Sequence, residues 1–210
     1  MASIKNFVLP VDGISALAPL PNVLASINGN VFEYDETTTV ANAKVQFQSQ
    51  SPYFRRIWQA DSNVSGEFSF TPSITKHGTT QLIPEVGFDL VATHPQSLQK
   101  TSTLFENFSN SANVSFLNTG WIEGTVRRFD GVVASYGKVE LISDKLERTL
   151  VVNIPEDGQY AFKGLPSANY HLIATLPDPN GSDIGGSTDA NLSIQEHLVR
   201  DIVLTQVGGI

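Results

Sequence analysis

The 210-residue chain has no cysteine, a single methionine and few charges, with Asp, Glu, Lys and Arg making up 16% of it. Without cysteine there is no disulfide framework, no thiolate metal site and no cysteine nucleophile. A disulfide-free chain is compatible with the cytosol, with many bacterial exteriors and with virions. No apolar run approaches the ~20 residues of a membrane-spanning helix. The opening stretch has one positive charge, Lys5, and Pro10, Asp12 and Gly13 interrupt it before a signal-peptide core could form, so no Sec-type export signal is expected there. The net charge of −8 argues against a basic stripe that tracks phosphates, and no nucleic-acid partner is expected.

Glycine (16), proline (11) and many Ser, Thr and Asn take the place of charge, a mixture suited to short strands joined by turns. The length allows one large domain or two small ones, each with its own core. An internal repeat decides between these. Ile27-Asn28-Gly29-Asn30-Val31 matches Ile122-Glu123-Gly124-Thr125-Val126, and Val40 to Phe47 matches Val133 to Leu141. Asp61 to Phe70 matches Ile154 to Phe162, and Gly87 to Thr93 matches Asn169 to Thr175. Four blocks in one order, offset by about 82 to 95 residues, describe a tandem of two similar domains. Within the blocks apolar residues alternate with polar ones, as in Val45/Phe47, Phe68/Phe70, Val139/Leu141 and Tyr160/Phe162, which is the pattern of half-buried strands. No stretch with helical period is present. Residues 74 to 85 and 178 to 190 read as polar or glycine-containing insertions, expected to be long loops.

The second set of blocks carries a family resemblance. Gly124-Thr125-Val126, Lys138-Val139-Glu140-Leu141, Asp157-Gly158-Gln159-Tyr160-Ala161-Phe162 and Gly164-Leu165-Pro166-Ser167-Ala168-Asn169-Tyr170-His171-Leu172-Ile173-Ala174 resemble the carboxypeptidase regulatory-like (prealbumin-like) β-sandwich family. The first set is looser, because an insertion before Phe88 replaces the Leu-Pro-turn-Tyr element. The resemblance covers about residues 27 to 207. It implies an all-β fold: two tandem prealbumin-like or Ig-like β-sandwich domains, residues 27–118 and 119–210, preceded by an extended N-terminal arm, residues 1–26. It also implies an accessory, non-catalytic role of the kind found beside enzymes, in surface stalks, in adhesins and in virion proteins.

Related domains of the collagen-adhesin B type join a first-strand lysine to a last-strand Asn or Asp by an isopeptide bond. Here Ile27 to Tyr34 and Trp121 to Phe129 contain no lysine, while Lys44 and Lys138 lie on the following strand, so no such cross-link is expected. Hydrolase relatives of transthyretin end in Tyr-Arg-Gly-Ser, whereas this chain ends Thr205-Gln206-Val207-Gly208-Gly209-Ile210.

Candidate sites are few. The arm holds Phe7, Val8, Leu9, Ile14, Leu17, Leu20, Val23 and Leu24 with only Lys5 and Asp12 as charges, and it could reach on the order of 85 Å if extended. It is either a disordered terminus or a segment that docks on another subunit, and so the candidate partner-binding region. The oxygen-rich Asp61-Ser62-Asn63-Val64-Ser65-Gly66 imitates half a calcium loop, but Pro72 stands where the bidentate carboxylate belongs, and a tight turn explains it better. Asp178, Asn180, Asp183 and Asp189 are the better Ca²⁺ candidate, on what reads as one flexible loop, although Pro179-Asn180-Gly181 is also a plain turn signal. Trp58 and Trp121, with Tyr53, Phe54 and Tyr136, are candidates for stacking on a sugar, against the alternative that both indoles pack internally. The four histidines, His77, His94, His171 and His197, have no zinc-peptidase spacing, and His171 is expected to face solvent from a strand. No nucleophile elbow or phosphate loop is present, and neither a catalytic residue nor a cofactor is expected.

The leading expectation is a structural, non-enzymatic component of a larger assembly. A virion protein, of a phage tail, neck or capsid decoration, would be anchored by its arm and form a homo-oligomer in the assembly. One alternative is a pair of stalk repeats from a bacterial cell-surface adhesin. Another is a carbohydrate-binding module that reads a host-surface glycan. The arm has one charge of each sign, the first repeat five positive against eight negative, and the second seven against twelve, so all excess acidity lies in the repeats.

Overall fold

The computed structural model describes residues 26–51, 57–74, 80–81, 83, 86–177 and 183–205. All of its regular structure is β. The first repeat contains β1 (Ile27–Phe32), β2 (Lys44–Ser49), β3 (Ile57–Asp61), β4 (Glu67–Phe70), a small hairpin of β5 (Ser73–Ile74) and β6 (Thr80–Gln81), then β7 (Phe88–Thr93), β8 (Lys100–Phe105) and β9 (Val114–Ser115). The second contains β10 (Thr119–Arg128), β11 (Lys138–Ile142), β12 (Leu150–Asn153), β13 (Gln159–Pro166), β14 (Ala168–Leu176), β15 (Ile184–Leu192), β16 (His197–Val199) and β17 (Ile202–Leu204).

The strand order is the same in both. One sheet runs β4-β1-β9 and its counterpart β13-β10-β16, with β17 continuing beside β10. The other runs β3-β2-β7-β8 and its counterpart β12-β11-β14-β15. Each pair of sheets closes over a core of alternating side chains. Ile27, Phe47, Phe88 and Leu90 lie in the first core and Ile122, Leu141, Phe162 and Leu172 in the second, all fully buried. Inside the first core, Phe47 meets Trp58, Phe70 and Phe88 with ring centroids 5.0, 5.8 and 5.0 Å apart, the tilted and edge-on arrangements that aromatic quadrupoles favour. The two sandwiches are tandem β domains, as expected from the repeat.

Two sequence expectations meet the structure differently. The segment Asp61 to Gly66 is a tight turn: the Asn63 carboxamide oxygen accepts from the backbone of Ser65 and Glu67, and Gly66 takes φ 77°. Its counterpart Gly158 has φ 68°. The expected long loop over 178 to 190 is corrected, because its second half is the nine-residue edge strand β15, paired along its whole length with β14 from Leu176↔Ile184 to Ala168↔Leu192. One of its two glycines answers to a close approach: a Cβ on Gly186 would stand 2.2 Å from the Val203 carbonyl oxygen.

Gly29 and Gly124 close the sandwiches. The last strand of each repeat runs parallel to the first, with Val31↔Val114 and Val126↔Ile202 in register. A Cβ on Gly29 would stand 1.8 Å from the Ala112 carbonyl oxygen, and one on Gly124 would stand 1.8 Å from that of Arg200. At both places the segment leading into the last strand donates back to the first strand, Ala112 N to Asn28 O at 2.9 Å and Arg200 N to Glu123 O at 2.8 Å. In the second repeat the Tyr160 hydroxyl also donates to the Arg200 carbonyl. Gly124→Ala should therefore cost about 3 kcal/mol through forced displacement of the last strand. Chemical denaturation is expected to show the loss in the second repeat, with Gly29→Ala doing the same in the first. Gly185→Ala, whose Cβ would meet its nearest atom at 3.7 Å, should change little.

Candidate functional site: the junction between the two sandwiches

The turn after β1 leaves the first sandwich at the end nearest the second. Asp35 builds it, accepting from Thr37 N at 3.1 Å, Thr38 N at 2.9 Å and the Thr38 hydroxyl at 2.6 Å. Burial alone would raise the Asp35 carboxyl, but the hydrogen bonds from Thr38 and Thr37 more than reverse this and hold it at about 2. The turn places Tyr34 against Trp121, at the head of β10, with ring centroids 5.0 Å apart. Burial, followed by the negative field of Asp35, Glu33, Glu123 and Glu196, pushes the Tyr34 hydroxyl up. On its other sides Trp121 meets the His197 ring at 4.9 Å and the Lys163 ammonium at 4.7 Å, a cation over an aromatic face.

A second set of contacts comes from the turn between β7 and β8. Gln96 extends from that turn to the outer edge of β13, where its carboxamide donates to Ala161 O at 3.3 Å and accepts from Lys163 N at 2.8 Å. One side chain thereby supplies the donor and acceptor that a neighbouring strand would have supplied. His94 lies beside it, 2% exposed, with its Nδ1 accepting from Gln96 N and Ser97 N at 3.3 Å each. A nitrogen that accepts carries no proton, so the proton sits on Nε2 and points to Glu33 Oε1 at 3.1 Å. The Glu33 side chain is equally buried, and its Oε2 has no hydrogen-bond partner among the described residues.

The His94 ring lies on the bare Cα of Gly164. A Cβ there would come within 2.5 Å of the ring, and Gly164 has φ 63°. The β10–β13 register shifts between Gly120 and Ile122, opposite Lys163 and Gly164, and that bulge opens the space His94 fills. Phe116 closes it edge-on, with centroids 5.2 Å apart.

The residues singled out from the sequence fare unevenly. Phe7, Val8, Leu9, Ile14, Leu17, Leu20, Val23 and Leu24 lie outside the described residues, as do Tyr53, Phe54, His77, Asp178 and Asn180. Asp189 lies on the extended strand β15 and Asp183 immediately precedes it, six positions and roughly 20 Å away, too far to share one ion. Asp189 instead pairs with His171 at 2.7 Å, whose ring faces solvent. Trp58 and Trp121 retain 8% and 9% exposure, which corrects the sugar-stacking expectation: neither indole offers a face to a pyranose. Tyr136 is 71% exposed, on a turn of the second sandwich. Lys44 and Lys138 stand on β2 and β11, the second strand of each sandwich, and both are exposed.

The junction residues Tyr34, His94, Gln96 and Gly164 were not among the sequence candidates. Only Tyr34 left a trace, since Tyr34-Asp35 and Phe129-Asp130 continue the first repeat block at the same offset.

No protein-family model matches the chain, and no curated protein matches it. The prealbumin-like resemblance therefore stands at the level of an all-β sandwich fold. Among solved structures, a mutant form of the shaft pilin SpaA from Lactobacillus rhamnosus GG is similar over 88% of this chain and 98% of its own, at 11% identity and a TM-score of 0.42. The minor pilin of Streptococcus agalactiae is similar over 88% and 98%, at 10% identity and a TM-score of 0.34. The Bacillus anthracis TIE protein is similar over 88% of this chain at 13% identity and a TM-score of 0.35, and the chain spans only 35% of that protein's length. At these identities and TM-scores the likeness carries no argument about function.

Two outcomes follow from the junction geometry. Because the Asp35 carboxyl is lowered from 3.8 to about 2, its contribution is complete above the higher value and is lost as pH falls through the lower one. Acid titration should loosen the Tyr34–Trp121 contact in that window, read by indole fluorescence, and Asp35→Asn should remove the transition. Gly164→Ala should cost roughly 1–2 kcal/mol for its backbone alone. It should also drive the His94 ring off β13, seen as loss of hydrogen-exchange protection at Lys163 N.

Proposed function

We propose that the protein is a non-catalytic spacer, in which two β-sandwiches locked end to end, residues 27–118 and 119–210, hold neighbouring parts of an extracellular, stalk-like assembly at a fixed distance and angle. The observation that carries this reading is the junction. A flexible linker would leave Tyr34, His94 and Gln96 in water, whereas each is seated on the second sandwich through contacts that exist in one relative orientation only. The Gln96 carboxamide is the most demanding, since its two bonds to Ala161 and Lys163 require the edge of β13 at one distance and one angle.

The stalk reading is preferred to the virion reading on the same ground. The virion reading depends on residues 1–26 docking on another subunit, and all but Ser26 of these lie outside the described residues. The stalk reading depends on rigidity along the chain, to which the junction speaks. Other protein subunits are the partners such a spacer would have.

Residual dipolar couplings test the proposal. Both sandwiches of the unmodified protein should report one alignment tensor. The double substitution Tyr34→Ala with Gln96→Ala should split it in two while each core still unfolds cooperatively. Separate tensors in the unmodified protein would sink the spacer reading.

A further inference from the structure

The turn that seats Tyr34 on Trp121 occurs twice. In the second sandwich Arg128 N donates to Val132 O at 2.8 Å and Gly131 N to Arg128 O at 2.9 Å, as Glu33 N does to Thr38 O at 2.8 Å and Glu36 N to Glu33 O at 3.1 Å. Gly131 and Glu36 both have positive φ, 83° and 55°. Asp130 accepts from Val132 N at 3.0 Å, in the role Asp35 has toward Thr37 and Thr38. Phe129 therefore occupies the place of Tyr34. Tyr34 is half-buried against the next sandwich, but Phe129 is 72% exposed, with Val132 at 58% and Val203 at 52% on the same end.

The surroundings of the two aromatic residues differ in sign. Thr93 lies opposite Lys44 and Thr175 opposite Lys138, so Leu176 stands where His94 stands in the first repeat. Arg128 replaces Glu33, and Arg127 precedes it. The Phe129 end thus pairs an apolar ring with two exposed guanidinium groups and has no buried carboxylate. The face that receives Tyr34 has a different make-up, the Trp121 indole with Glu123, which holds His197 at 2.8 Å, and Glu196 close enough to raise the Tyr34 hydroxyl, so that its two carboxylates outnumber the single Lys163 ammonium over the indole.

We infer that the Phe129 turn is a docking end for a further β-sandwich, carried by a neighbouring subunit, whose first strand opens on a flat aromatic ring flanked by carboxylates. The inference rests on the spacer reading and extends it by naming the partner's chemistry. Phe129 takes the role of Tyr34 against that ring, and Arg127 and Arg128 meet the carboxylates, which favours the oriented encounter over other approaches. The turn stands beside the end of the last strand in both repeats: Leu204 lies opposite Arg128 in the β10–β17 ladder, as Phe116 N donates to Phe32 O in the first.

The second sandwich's own entry face is the probe, since it carries Trp121, Glu123 and Glu196. In a chain of residues 1–204 followed directly by a second copy of residues 117–205, the tether supplies that face at high effective concentration. Nitrogen-15 relaxation should then show three sandwiches tumbling as one body. Phe129→Ser, at a position exposed enough to leave the fold intact, should cut the correlation time of the third by at least half. A third sandwich that tumbles independently without the substitution, or stays locked with it, overturns the inference. So does self-association of the unlengthened chain that Phe129→Ser abolishes, because the occupant would then be a second copy. Independent motion of the first two sandwiches would instead count against the spacer reading itself.

Discussion

A carbonyl oxygen just ahead of the last strand sits where a side chain on the first strand would have to be, and the whole repeat is organised around that contact. Only glycine at 29 and 124 admits it. With the carbonyl in place, the last strand can run parallel to the first, and the segment leading into it donates a backbone hydrogen bond back to the first strand. The sheet of three strands in the first repeat and four in the second is then complete, and Ile27 and Val31, or Ile122 and Val126, face a closed core. The same closure brings the end of one repeat beside the turn that follows its first strand. The next repeat therefore begins within reach of Tyr34, and the junction is a consequence of how each sandwich is closed.

The junction itself relies on directional contacts more than on buried area. An apolar patch tolerates sliding, whereas a carboxamide that completes a strand edge and a ring resting on a bare Cα do not. The buried Glu33–His94 contact adds to this, because the two backbone N–H groups that hold His94 Nδ1 fix both its tautomer and the direction of its other nitrogen. Contacts of this kind favour one orientation of the two modules, which is what the proposed spacer requires.

The strands were legible in the sequence wherever a strand is half-buried, because alternation such as Val45/Phe47 or Tyr160/Phe162 reports the core face directly. The turn at Asp61 to Gly66 was legible for the same kind of local reason. β15 was not, since an edge strand needs buried residues only where it covers the core, at Ala190 and Leu192, and its glycines look like loop until Val203 is seen passing over Gly186. Gln96 and Gly164 were illegible because their roles depend on a register shift in a strand some 65 residues away in the chain. Trp58 and Trp121 show the limit from the other side: an indole looks the same in a sequence whether a sugar or a phenyl ring covers it.

Parallel pairing of the first and last strands also sets how each sandwich answers to tension. The chain enters β1 at one end of the module and leaves β9 at the other, and the same holds for β10 and β17. Pulling on the two ends slides these strands along each other, so their hydrogen bonds are strained together and must fail together. Strands paired the other way would peel apart one bond at a time.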